Sequence, residues 1–284
     1  MGLLLNTVPW YACIYAIART RSQRHKRAML SYQHIYHAGN LADVHKHTLL
    51  AWMLDYLTHK DKPVSYIETH AGRALYDLNA SAALKTGEAA MGIARARDWF
   101  TADHPYRKSL SETAETDGDH AYPGSPMIAV QRLRATDTIT VAELHPAEHG
   151  ALELTLPTAT CRRTDGFAMA HSMLPPTPRR GLMLIDPSFE IKDDYTAIPS
   201  HIRKYARAWN VGIIALWYPI LTSGLHVKML KALTNDHKNA LCHEVRFPPA
   251  RPGHGMVGSG LFVINPPFGL AQEAAKLKTH FDKL

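Results

Sequence analysis

The run GLMLID (181–186) constrains this chain more than any other six residues in it. Five residues with no polar side chain lead directly into an aspartate. Such a run cannot alternate between core and water, so as a strand it is covered on both faces. A strand covered on both faces implies a largely parallel sheet with helices on each side. The neighbouring segments agree with this. VSYIE (64–68), TITVAE (138–143), TATCR (158–162) and VGIIALW (211–217) read as strands, and LCHEVRF (241–247) and LFVIN (261–265) as a final pair. Helices are predicted from a cap at Asn40 or Asp43 to about Leu57, then over 123–133, 147–154, 195–208 and 223–234. Seven strands with helices between the early ones predict a doubly wound α/β sheet with an antiparallel tail. Residues 31–39 read as a structured loop. Residues 76–121 read as a helical insertion ending in a polar, acidic loop over 111–121.

With 284 residues, of which 46% are hydrophobic and 20% charged, the chain is one large folded domain rather than a disordered one. Cys13, Cys161 and Cys242 are too few and too scattered for a disulfide framework or a thiolate metal site. No apolar stretch reaches the roughly 18 residues of a membrane span. The net charge of +7 is unevenly placed. Residues 1–28 carry Arg19, Arg21, Arg24, Lys26 and Arg27 and no acid, leaving only +2 on the other 256 residues. The basic cluster follows the apolar stretch 3–18, the reverse of a secretory signal. We therefore expect residues 1–28 to be a basic leader outside the core, and the folded domain to span 29–284.

Ligands of open α/β sheets bind beyond the carboxyl ends of the strands. Those ends supply Glu68, His70 and Gly72, then Glu143, then Asp165 and Gly166, then Asp186, Pro187, Ser188 and Phe189. An acid after the second strand can hold both hydroxyls of a ribose, and an acid and glycine after the third can meet an adenine edge. These features point to a cofactor containing adenosine. The first turn lacks GxGxxG and the chain has no GxxxxGK[ST], so neither dinucleotide binding nor ATP hydrolysis is indicated. In the Asp186-Pro187-x-Phe189 segment, a carboxylate and the Pro187 carbonyl are adjacent acceptors, with an aromatic two residues on. Two acceptors gripping an exocyclic amine favour a more tetrahedral nitrogen, and a flipped adenine suits such a clamp. Asn265-Pro266-Pro267-Phe268 is a fuller version of the same pattern. It follows the last strand, where Asn265 is expected instead to cap the final helix.

The segments YQHIYHAGNLADVHKH (32–47), YIETHAG (66–72), YPGSP (122–126), ELHP (143–146), DGF (165–167), LIDPSFE (184–190), LWYP (216–219) and SGLFVINPPF (259–268) resemble the RlmJ family of large-subunit ribosomal RNA adenine-N6 methyltransferases. The resemblance runs from Met29 to the C-terminus. It implies a class I S-adenosylmethionine-dependent methyltransferase, Rossmann-like, with a seven-stranded mixed sheet and a small helical insertion. It implies methylation of one adenine in 23S ribosomal RNA, on RNA not yet assembled into the subunit. It further implies that Lys46, His47, His70, Ser125, Glu143, Asp165, Gly166 and Asp186 bind the cofactor. Asp186, with Pro187 and Phe189, would carry catalysis, and Tyr32 with Phe189 would meet the substrate. The implied enzyme is cytoplasmic and monomeric, with no metal and no stable membrane partner.

Two departures from the family pattern concern the site. The family's DPPY is DPSF here, and its THAGAGRY is THAGRALY, placing Arg73 and Ala74 where a small residue and a glycine stand. The chain also stops at Leu284, short of the usual tail. The alternatives are a DNA adenine-N6 methyltransferase, which uses the same clamp, and an RNA-binding homologue with weakened catalysis. The first would want a reading domain for which 284 residues leave little room. The second would bind RNA without cofactor.

Overall fold

The computed structural model describes residues 32–284 except 252 and 254, so the expected leader lies outside the described residues. The central sheet contains β1 (Ser65–Glu68), β4 (Thr138–Ala142), β5 (Thr160–Arg162), β6 (Gly181–Ile185), β7 (Ile213–Leu221), β8 (Leu241–Arg246) and β9 (Met256–Ile264). Their order is β5-β4-β1-β6-β7-β9-β8. The pairings β5–β4–β1–β6–β7 are all parallel, and β9 alone runs against its neighbours β7 and β8. The expected antiparallel tail is thus a single reversed strand slotted between β7 and β8.

Burial on both faces explains the apolar run at β6. Leu182 and Leu184 face one core with Tyr66 and Val141, while Met183 and Ile185 face the other with Ile67 and Ala142. The first core is closed by α1 (Leu41–Thr58), α5 (Pro105–Asp117), α6 (Ser125–Arg132) and α11 (Leu270–Phe281). The second is closed by α8 (Gly166–Met173), α9 (Asp194–Ala208) and α10 (His226–Asp236). The helix α7 (Pro146–Thr155) links β4 to β5.

Helix α1 begins where the caps predict, with the Asn40 side chain accepting from the Asp43 amide. Its apolar stripe is buried, but so are Asp43, His45, Lys46, His47 and Thr48. A polar helix face buried this deeply is paired or it would not fold. The segment between β1 and β4 contains a small antiparallel sheet, β2 (Leu75–Asp77) with β3 (Ala121–Pro123), which sequence reading did not find. Between these strands lie the short helices α2 (Ser81–Thr86), α3 (Glu88–Met91) and α4 (Ile93–Ala96), followed by α5. The polar stretch 111–121 is mostly helix, because α5 runs on to Asp117 and buries Tyr106, Leu110 and Thr113 on its inner face. Helix α8 was also missed, since its eight residues start directly from the DGF turn with no separate cap signal.

Asn265 does not cap the last helix, which is preceded by Gly269. Its amide Nδ2 donates to the carbonyls of Asn210 and Gly212, and its own backbone sits at φ 53°. Asn tolerates this left-handed conformation better than most residues. Ile264 pairs with Ile214, near the start of β7, so Asn265 lies at the amino ends of the parallel strands. The Asn265–Phe268 pattern is therefore at the wrong end of the sheet for a strand-end site, and Phe268 is 86% exposed.

Candidate active site

A cavity of about 330 Å³ opens beyond the carboxyl ends of β1, β4, β6 and β7. Of the residues singled out in the sequence, Tyr32, Lys46, His47, His70, Ser125, Glu143, Gly166, Asp186, Pro187 and Phe189 line it. Asp165 does not. Its carboxylate caps α8 by accepting from the Ala168 amide. Gly166 is fixed by packing, because a Cβ there would lie 1.8 Å from the Thr69 carbonyl oxygen.

At the floor, Asp186 ends β6 and accepts from Lys46 Nζ at 2.7 Å through Oδ2. Lys46 Nζ also lies 3.0 Å from Asp43 Oδ1, one turn back on α1. Burial alone would discharge the Lys46 ammonium, but the two carboxylates outweigh it and hold the group above its ordinary range. Asp43 in turn is buried, yet His34 and Lys46 hold it well below the usual carboxylate range. Asp43 Oδ2 takes the His34 Nε2 at 2.8 Å, and His34 Nδ1 meets the Tyr32 hydroxyl at 2.9 Å. A continuous chain thus runs from Tyr32 through His34, Asp43 and Lys46 to Asp186. His47 Nδ1 pairs with the Tyr122 hydroxyl, while its buried Nε2 has no hydrogen-bond partner in the protein. Burial lowers the His47 pKa well below the ordinary imidazole value, so this ring is neutral.

Glu143 forms the other end. One oxygen accepts from the Gly72 amide at 2.9 Å and the other from the His145 amide at 2.7 Å. Burial pushes its pKa up and these two N–H groups pull it back. Gly72 has φ 62°, a conformation that glycine adopts without steric cost. Ser125 opens α6, and its hydroxyl donates to Glu68. His70 packs edge-on against Phe167.

Phe189 is at φ 54°, with its ring 4.7 Å from that of Tyr195 and 6.1 Å from that of Trp217. A phenylalanine with positive φ is strained, and such strain concentrates at functional loops. Ala74 is likewise at φ 69°, where the family pattern has glycine. The neighbouring Arg73 does not crowd the cavity. It turns to Glu148, with Nε 2.8 Å from Oε2.

The cavity residues that escaped the sequence reading include Asp43, His34, Glu148 and Trp217. Asp43 had a signal, since positions 43, 46 and 47 share one helix face. It was read only as a cap. Trp217 lies under Lys46, whose Nζ is 5.7 Å from the ring centroid, and donates Nε1 to the Ser259 hydroxyl. Of the basic cluster on α9, Arg203 is paired with Asp236, while Lys204 and Arg207 are exposed.

The strand order with one reversed strand, and a cavity at the carboxyl ends holding acids after β4 and β6, define a class I S-adenosylmethionine-dependent methyltransferase. The comparisons narrow this class. The family profile described as Ribosomal RNA large subunit methyltransferase D, RlmJ, matches residues 61–283. Ribosomal RNA large subunit methyltransferase J of Escherichia coli is 39% identical over 254 residues, covering 86% of this chain and 90% of that protein. Its Haemophilus influenzae counterpart is 35% identical over 265 residues, covering 90% and 94%. A crystal structure of a Legionella pneumophila protein superposes with a TM-score of 0.78 at 34% identity, covering 86% of this chain and 92% of that one. The chain belongs to the RlmJ family of ribosomal RNA methyltransferases.

Among the described residues, no helix is long and apolar enough to cross a membrane. No group of three or more His, Cys, Asp or Glu among them is placed to hold a metal ion.

Proposed function

We propose that this protein methylates the N6 amine of a specific adenine in 23S ribosomal RNA, using S-adenosylmethionine. The observation that carries this reading is the placement of Asp186. It sits at the carboxyl end of the most buried strand, inside the cavity, with Lys46 on one carboxylate oxygen. The cavity suits the cofactor chemically. Glu143 can take ribose hydroxyls on its remaining lone pairs, and the unpartnered buried His47 Nε2 can meet a polar group. Lys46, His70, Ser125 and Gly166 complete the wall, and Asp165 contributes by fixing the start of α8. When bound, S-adenosylmethionine supplies an electrophilic methyl group on a sulfonium.

The chain's own residues do the rest by alignment and polarisation. Asp186 Oδ1 accepts one N–H of the adenine amine, and the Pro187 carbonyl accepts the other. Lys46 fixes the Asp186 carboxylate through its contact with Oδ2. Phe189 and Trp217 offer ring surface to the flipped base. The amine loses a proton once it is methylated, and the Asp186 carboxylate receives it. Tyr32 contacts the RNA. The same reading takes the substrate before subunit assembly and makes the enzyme a cytoplasmic monomer that needs no metal.

The test is methylation of protein-free 23S transcripts with labelled cofactor, followed by nuclease mapping. Label at one adenine is the expected result. Label in adenine-containing DNA but not in RNA would favour the DNA enzyme. RNA affinity without cofactor binding or transfer would favour a catalytically weakened homologue.

A further inference from the structure

The helical insertion is fitted closely to the backbone of the entry segment that carries Tyr32. The Thr86 hydroxyl donates to the Tyr36 carbonyl, and the Ile93 amide donates to the Gly39 carbonyl at 2.8 Å. A Cβ at Gly92 would lie 2.1 Å from that same Gly39 oxygen. So residues 36–40 and 86–93 dock without room for a side chain between them. Within this contact, Glu88 is buried and its carboxylate faces the segment. Its two oxygens lie 3.0 and 3.1 Å from His37 Nδ1, and Oε2 also accepts from Asn40 Nδ2 at 3.1 Å. The His37 ring in turn stacks on the Tyr32 ring, with centroids 5.9 Å apart and planes 10° from parallel. This is within the range of attractive offset stacking.

Tyr32 is therefore held at two points. Its hydroxyl is held from α1, through His34 and Asp43. Its ring face is held from the insertion, through His37 and Glu88. We propose that Glu88 is a positioning residue that sets the Tyr32 ring for RNA through His37, and that the insertion serves the site by this contact. The proposal rests on the reading of Tyr32 as an RNA contact.

The pair is electrostatically biased. Burial lowers the His37 pKa, but the hydrogen bond and charge of Glu88, with Asp43 behind it, raise it overall above the ordinary imidazole value. Arg251 opposes them from the β8–β9 loop, and Tyr32 and His34 flank the ring on its own segment. A protonated His37 makes a charge-assisted bond to Glu88, stronger than a neutral one. Deprotonation at high pH weakens the hold on the ring.

The test uses the full chain and four variants: Tyr32→Ala, Glu88→Gln, His37→Gln and the double Glu88→Gln/His37→Gln. Affinity for a 23S domain transcript is read by filter binding without cofactor, alongside kcat, KM, cofactor affinity and thermal midpoint. Glu88→Gln is expected to raise both the RNA Kd and KM about threefold to tenfold, the loss of one charge-assisted bond. Its kcat and cofactor affinity should stay near the parent values. The alkaline weakening of RNA binding should begin at lower pH in Glu88→Gln and vanish in His37→Gln. The double variant should be no worse than the worse single one. If Tyr32→Ala weakens RNA binding while Glu88→Gln and His37→Gln do not, Glu88 has no positioning role. If the two single effects add, Glu88 acts by another route and the proposal is wrong. If Tyr32→Ala binds RNA normally, the reading of Tyr32 fails and takes the proposal with it. Should Glu88→Gln lose its fold, the pH profile of His37→Gln decides alone: an alkaline limb that persists there overturns the proposal.

Discussion

Lys46 Nζ lies 2.7 Å from Asp186 Oδ2, joining the first helix to a strand end 140 residues away. The same ammonium lies 3.0 Å from Asp43, so one buried cation serves two carboxylates that are themselves almost out of contact with water. Removing it leaves two like charges facing each other in a medium that screens them poorly. Lys46→Met should therefore loosen the Asp186 carboxylate from the position it holds at the end of β6. The single-turnover rate should fall about 10²-fold, the scale of losing one preorganised electrostatic contact. Single-turnover assays on RNA transcripts check this. An unchanged rate would show that Lys46 does not position Asp186.

The two amine-clamp patterns are separable by mutation. Asp186→Ala should abolish transfer in a protein that still folds. Asn265→Ala should keep its transfer rate, because Asn265 is at the far end of the sheet. It should instead lose about 1–3 kcal/mol of stability with the two backbone carbonyls left unpaired, and about 1 kcal/mol more from an alanine held at positive φ. Urea titration of both variants, with transfer assays, distinguishes them from the reverse assignment.

Glu68 makes a prediction about pH and stability. It is fully buried, and burial raises its pKa to about 8 despite the hydrogen bonds from Ser125 and Tyr66. The native state therefore holds this proton more tightly than the unfolded chain does. The stabilisation is present in full below the ordinary glutamate pKa, and is lost as pH rises toward 8. Glu68→Gln should remove that loss. The difference in unfolding free energy between parent and variant should change by a few kcal/mol, roughly 3, between pH 5 and 8. A difference that is flat across this window would mean Glu68 is ionised in the native state.

Arg73 is one of the departures from the family pattern, and the structure gives it a partner. Glu148 is 3% exposed and Arg73 28% exposed, so removing Arg73 strands a buried carboxylate beside Glu143. Arg73→Ala should cost about 2 kcal/mol, less than a fully buried pair because the arginine keeps some contact with water. Cofactor affinity should fall with it, since Glu148 raises the pKa of Glu143. Calorimetric titration with S-adenosylmethionine is the measurement. The double variant Arg73→Ala/Glu148→Gln should recover most of the stability.

Ser188 stands where the family pattern has proline, between Pro187 and the strained Phe189. Ser188 is not among the positive-φ residues, so the site is compatible with the proline ring on that count. A proline there would restrain the Pro187 carbonyl in the free enzyme. Ser188→Pro is expected to raise the single-turnover rate about twofold to fivefold, with cofactor affinity unchanged. A rate that falls would show that the serine is part of the working geometry.

Hydrophobic pattern alone determined the sheet and most of its helices. GLMLID could only be a strand covered on both faces, and its aspartate necessarily sat at a carboxyl end. Glu143, Asp186, Pro187 and Phe189 were legible for the same reason: a strand's direction fixes where its last residue points. Lys46, His47, Ser125 and Tyr32 came only from resemblance to a family, because neither a helix or tail ahead of the first strand nor a helix start between β3 and β4 has a position dictated by strand ends. Tertiary structure decided the rest. It buried the polar face of α1 against the strand ends and so turned Asp43 from a helix-end residue into the partner of Lys46. It sent Arg73 to Glu148 and assigned Asp165 to a cap. It also brought Glu88 to His37 across 51 residues. Local sequence carries the period of an element and the residues that end it. It does not carry which faces meet, and charge pairing across a cavity depends on that meeting alone.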